Sequence, residues 1–130
     1  MKNYIITLII CCLHHSVFAE ESSTYKFKKI GYALANYEVC ELVATQSNDP
    51  VMAYYYAEML LDGEVSSKAY ILHQQQTIKQ ERAKAVQVLN KMSRASMNQL
   101  CASRFDAVSR QFYQKKQQEN NSRIPLLKMN

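Results

Sequence analysis

The chain has 130 residues, 16 Lys and Arg against 11 Asp and Glu, a net charge of +5, and only two glycines and two prolines. So few turn formers, among many Ala, Gln, Lys, Leu and Met residues, exclude a turn-rich β fold and point to an all-α protein. The length provides one domain with a modest core.

Residues 1–19 read as a secretory signal peptide. Lys2 gives the positive start, Ile5 to Leu13 the apolar run, and Val17 and Ala19 the small residues before a cleavage site at Glu20. The apolar run is roughly half of what a stable membrane anchor needs. Cys11 follows Ile10, which is not the small residue that a lipoprotein needs before its modified cysteine. The expected location is therefore periplasmic or secreted. Cys11, Cys12, His14 and His15 leave with the signal and receive no metal-binding role.

Glu20–Thr24 reads as a frayed tail, and a helical domain is expected over 20–118. Phe27, Ile30, Leu34, Tyr37 and Cys40 mark one face of a first helix over Tyr25–Gln46. Asn48-Asp49-Pro50 is a break and restart, with Asp49 as N-cap and Pro50 in the first helical position. The second helix is expected to end near Leu61, with Gly63 as its C-cap. Its core face is Met52, Tyr55 or Tyr56, Met59 and Leu60. Tyr54, Tyr55 and Tyr56 are successive, about 100° apart on a helix, so they cannot all face one core. One of them should meet solvent or a partner. Tyr54, Glu58, Asp62 and Glu64 are accordingly the candidate partner-binding residues. The competing reading is a tyrosine lying flat on the surface with a wet hydroxyl.

Ala69–Leu72 is a short apolar cluster. His73 is the single histidine downstream of the signal, without the neighbouring ligands that a metal or catalytic site needs. Thr77 and Gln80 have capping-box spacing for a third helix running to about Ser93. Ile78, Ala85, Leu89 and Met92 form its apolar face, and Lys84, Gln87, Lys91 and Arg94 an opposite basic stripe. A last helix is expected over Ser96–Gln118, with Ser96 and Gln99 as a capping box. Met97, Cys101, Phe105, Val108 and Phe112 form its core stripe, widened by Leu100 and Tyr113. Residues 119–130 read as a flexible tail with an apolar tip, Ile124-Pro125-Leu126-Leu127.

Cys40 and Cys101 are the two cysteines outside the signal, each on the apolar face of its helix. In an exported chain they are expected to pair, giving four or five helices stapled by one disulfide. Closing a loop of this length stabilises by roughly 4 kcal/mol, before any strain. Charge is unevenly spread along the chain. Residues 20–64 hold eight carboxylates and three lysines, a net of −5. Residues 65–130 hold twelve Lys or Arg and three carboxylates, a net of +9. Either the two halves attract each other or they form an oriented surface for a partner. An export signal and the lack of any recognition motif argue against nucleic acid.

No nucleophile–base pair, glycine-rich phosphate loop or metal-ligand spacing occurs. The expectation is a protein without enzymatic activity and without a cofactor or metal, although a small secreted enzyme stays open. Ala53, Ala57, Leu60 and Gly63, followed by Lys84-Ala85, Leu89 and Lys91-Met92, resemble pieces of tetratricopeptide-type helical repeats. That resemblance implies an exported helical adaptor. The signal, Tyr37-Glu38-Val39-Cys40-Glu41-Leu42, the Met97 to Cys101 segment and Phe105-Asp106-Ala107-Val108 together resemble the periplasmic immunity proteins of type VI secretion amidase effectors. This second resemblance implies a helical inhibitor whose protein partner is a cell-wall amidase effector.

Overall fold

The computed structural model describes the backbone of residues 2–127 and the side chains of residues 24–122. The side chains of the expected signal, Met1–Ala19, and of the apolar tip, Ile124–Leu127, lie outside the described residues. The described residues form five helices and no strand: α1 (Lys2–Gln46), α2 (Pro50–Ser67), α3 (Leu72–Leu89), α4 (Arg94–Arg104) and α5 (Ala107–Leu127). The fold is all-α, with one disulfide between Cys40 and Cys101.

The junction of α1 and α2 follows from three residues. Asn48 takes the left-handed conformation at φ 54°. Its N–H reaches the Thr45 carbonyl, and the N–H of Asp49 reaches that of Ala44. This is a Schellman ending, and asparagine is one of the few residues that enter that region at low cost. Asp49 then accepts from the Met52 N–H at 3.0 Å, and Pro50 opens α2.

The second helix does not stop near Leu61. It continues through Gly63 to Ser67, because Gly63 serves packing and not capping. A Cβ at Gly63 would lie 2.5 Å from Cδ2 of Leu34 on α1. Gly31 plays the same part against α3, where a Cβ would meet the Ile78 carbonyl at 2.7 Å and the Arg82 nitrogen at 2.9 Å. At both glycines the helices pack too closely to leave room for a side chain.

The third helix starts earlier than the Thr77 capping box implies, at Leu72. Thr77 lies inside it and donates to the His73 carbonyl. The turn before it is held by Gln75, whose amide donates to the carbonyls of Tyr70 and Lys68. Ile78, Ala85 and Leu89 are buried as expected, while Met92 falls beyond the helix end and is exposed.

The single last helix expected over Ser96–Gln118 is in fact two helices. Ser93, not Ser96, caps α4 and accepts from the Ser96 N–H. The chain breaks at Phe105, and Asp106 accepts from the Ser109 N–H to start α5. This break changes the phase of the apolar stripe. Met97, Cys101 and Phe105 stay buried, but Val108 and Phe112 turn outward, 75% and 60% exposed, and Tyr113 faces inward instead. The helix also runs past Gln118 to Leu127, through much of the expected tail, and Glu20–Thr24 likewise belong to α1.

Contacts place α1 at the centre, with α2 and α3 packed on it and α4 on its C-terminal part. Residues rise together along α1 and α3, since Gly31 meets Ile78 and Arg82 while Val39 lies beside Val86 and Asn90. α2 returns in the opposite direction. The main core gathers Val39, Cys40, Met52, Tyr56, Leu89 and Cys101, and a smaller cluster holds Phe27, Leu34 and Ile78. The cysteine pair, with Cα atoms 5.3 Å apart, joins α1 to α4 at the middle of the main core.

Candidate partner-binding surface

The acidic and basic halves of the sequence meet each other. Among the described residues, every ion pair except the local Lys84–Glu81 contact joins a carboxylate before residue 65 to a cation after it. Arg110 grips Asp49 with two nitrogens, at 3.1 and 2.7 Å. Lys116 reaches both oxygens of Glu58, at 2.8 and 2.6 Å. Arg82 bridges Glu38 on α1 and Glu64 on α2, at 2.7 and 2.6 Å. It lies four residues after Ile78 and three before Ala85, on the packed side of α3. Burial alone would weaken its positive charge, and the two carboxylates outweigh that and raise its pKa.

This pairing decides where the four candidate residues stand. Tyr54 is half-buried under α5: its ring meets Tyr113 edge-on at 6.0 Å, and its hydroxyl accepts from Asn120 at 3.1 Å. The adjacent Glu58 carboxylate is the main reason its phenol pKa is raised. Burial works to raise the Glu58 pKa too, but the Lys116 ammonium prevails and lowers it. Glu64 faces the other way, toward Arg82. Asp62 is exposed. Tyr54, Glu58 and Glu64 are therefore divided between the α2/α5 and α2/α3 seams, and do not form one free acidic patch with Asp62.

The three tyrosines divide as the 100° step requires. Tyr56 is fully buried, and Tyr55 meets Tyr56 and Tyr113 edge-on and Phe105 at a tilt, with centroids 4.9 to 5.0 Å apart. Tyr54 points to α5, where its ring meets Tyr113 and its hydroxyl meets Asn120. The contacts Asp49–Arg110, Tyr54–Tyr113 and Glu58–Lys116 rise together along both helices, which makes α2 and α5 parallel.

Among the described residues, an open apolar trough lies elsewhere, between α1 and α3. Tyr32, Ala85 and Val88 line a trough of about 410 Å³, rimmed by Lys28, Lys29 and Lys84 with Glu81 beside them. Tyr32 is 48% and Val88 62% exposed. Nothing in the apolar spacing marks these two residues, since both fall just off the core faces. Lys84, Gln87, Lys91 and Arg94 are all exposed, but α3 ends at Leu89 and Arg94 opens α4, so they do not share one helical face. His73 is exposed. Among the described residues no group of three His, Cys, Asp or Glu side chains is placed to hold a metal ion. No described helix is long and apolar enough to cross a membrane.

No protein-family model matches this chain, and no curated protein or solved structure matches it.

Proposed function

We propose that this is an exported, non-catalytic binding protein, and that its task is to inhibit a cell-wall hydrolase. The observation that carries the binding reading is the α1/α3 trough. A small domain braced by a disulfide and four inter-half ion pairs leaves Tyr32 and Val88 open beside three lysines. Exposed aromatic and aliphatic groups on a rigid frame lose little entropy when a partner covers them. The buried disulfide favours an oxidising compartment, in line with the export signal. The choice of inhibitor rests on the resemblance to amidase-effector immunity proteins, which is carried by the segments around Cys40 and Cys101.

An exported helical adaptor is the second reading. It is favoured by α1 packing against both an antiparallel α2 and a parallel α3, an arrangement of successive helices that a helical repeat would also give. Affinity purification from the periplasm, with mass spectrometry of what co-purifies, separates the two. One cell-wall hydrolase in equimolar amount supports the inhibitor. An assembly of several proteins supports the adaptor, and no co-purifying protein refutes both.

A further inference from the structure

Resting on the binding reading, we infer that the α1/α3 trough receives an acidic protein segment that inserts one large apolar side chain between Tyr32 and Val88. The floor is apolar: Tyr32, Ala85 and Val88. The rim is positive. Lys28 and Lys29 come from α1 and Lys84 from α3, and the one carboxylate there, Glu81, already pairs with Lys84 at 2.7 Å. The trough therefore keeps a net positive charge around an apolar slot, which is complementary to carboxylates flanking an apolar anchor.

The walls are held in place before binding. Gly31 brings α1 against the α3 backbone at Ile78 and Arg82, and Arg82 ties α3 to Glu38 and Glu64. A slot fixed in this way selects a side chain of suitable shape, whereas a lipid headgroup needs only the lysines. Other exposed apolar side chains, Leu61 and Val65 on α2, Ile71 and Leu72 at the start of α3, and Val108 and Phe112 on α5, are not gathered with lysines around one trough as Tyr32 and Val88 are.

The test uses the full chain without its signal, labelled with nitrogen-15. It is titrated with three short helical peptides. One has leucine flanked by glutamates, one has lysine for each glutamate, and one has alanine for the leucine. Vesicles of phosphatidylglycerol form a fourth arm. The acidic leucine peptide is expected to shift the amides of Tyr32, Ala85 and Val88 and to bind about tenfold better than either peptide control. A triple variant, Lys28→Glu, Lys29→Glu and Lys84→Glu, should fold, since all three side chains are exposed, and should prefer the lysine peptide. No shift at the trough with the acidic peptide overturns the inference, as does binding that ignores the charge reversal. A response of the trough to vesicles alone makes it a lipid site and overturns it too. Shifts on another face refute the trough and leave the binding reading intact, which the periplasmic purification tests separately.

Discussion

The hydroxyl of Tyr56, on α2, donates to the backbone carbonyl of Cys101, on α4, at 2.6 Å inside the main core. The last carbonyls of a helix lack partners within it. At the end of α4 the Phe105 N–H folds back to Ala102, so it does not serve Cys101. The phenol fills that place and packs beside the disulfide in the same step. One tyrosine thus couples α2 to the α1–α4 staple.

Removing that hydroxyl tests the coupling. Tyr56→Phe leaves a buried carbonyl without its donor and should cost about 1–3 kcal/mol in urea unfolding at neutral pH. Burial pushes the Tyr56 phenol up to about 12. Folding therefore holds the proton after an unfolded tyrosine has lost it, near pH 10. The contribution is complete below about pH 10 and fades as pH climbs toward about 12, a loss of about 2–3 kcal/mol. Comparing the unfolding midpoints of wild type and variant from pH 8 upward isolates it from the lysines that titrate in the same range. An equal alkaline decline in both proteins would contradict the assignment.

The staple itself should matter more. Replacing both Cys40 and Cys101 by Ala is expected to lower stability by roughly 2–4 kcal/mol. Denaturant unfolding of the variant, and of wild type with reductant, should agree in direction. Peptide mapping without reductant that shows both thiols free would remove the basis for the expectation.

The two close-approach glycines should respond differently to alanine. At Gly31 the new methyl meets the α3 backbone, which cannot yield without separating the helices, so a loss of about 1–3 kcal/mol is expected. At Gly63 it meets only the end of the Leu34 side chain, which can rotate away. Alanine there also recovers about 1 kcal/mol of helix propensity. Gly63→Ala should therefore be much milder, and a thermal melt that reverses this order would argue against the packing described.

Acid stability should depend on Asp49. The Arg110 guanidinium is the main cause holding its carboxyl below the usual carboxylate range. Its contribution is present above about pH 4 and is lost as pH falls below that value, since the folded state keeps the charge longer than the unfolded one. Asp49→Asn retains an oxygen that can cap α2, so the variant mainly loses the ion pair. A cost below about 1 kcal/mol at neutral pH is expected for so open a pair, with a flatter acid limb in unfolding curves. An unchanged acid limb would show that the pair contributes nothing.

Much of this architecture could be read from local signals. Asn48-Asp49-Pro50 carried the α1/α2 junction, and the apolar faces around Cys40 and Cys101 led to the disulfide. The break between α4 and α5 was harder, because no glycine or proline marks it. Asp106 was the available clue, a good N-cap within an otherwise continuous apolar stripe. A glycine near a plausible helix end, as at Gly63, looks the same in sequence whether it serves a left-handed cap or a close helix crossing. The candidate site was the least legible part. Tyr54 and Glu58 have the right chemistry for a partner, but only tertiary contacts show that Tyr113 and Lys116 already meet them. Tyr32 and Val88 gain meaning only once α1 and α3 lie side by side.

The central claim is inhibition by binding, and a stoichiometric titration tests it most directly. A cell-wall hydrolase recovered with the chain from the periplasm is held at fixed concentration, and purified chain is added while peptidoglycan hydrolysis is followed. Activity falling to zero near one equivalent is the predicted result, with the triple lysine reversal in the α1/α3 trough shifting the curve to higher concentration. Undiminished hydrolysis at saturating chain would contradict the account.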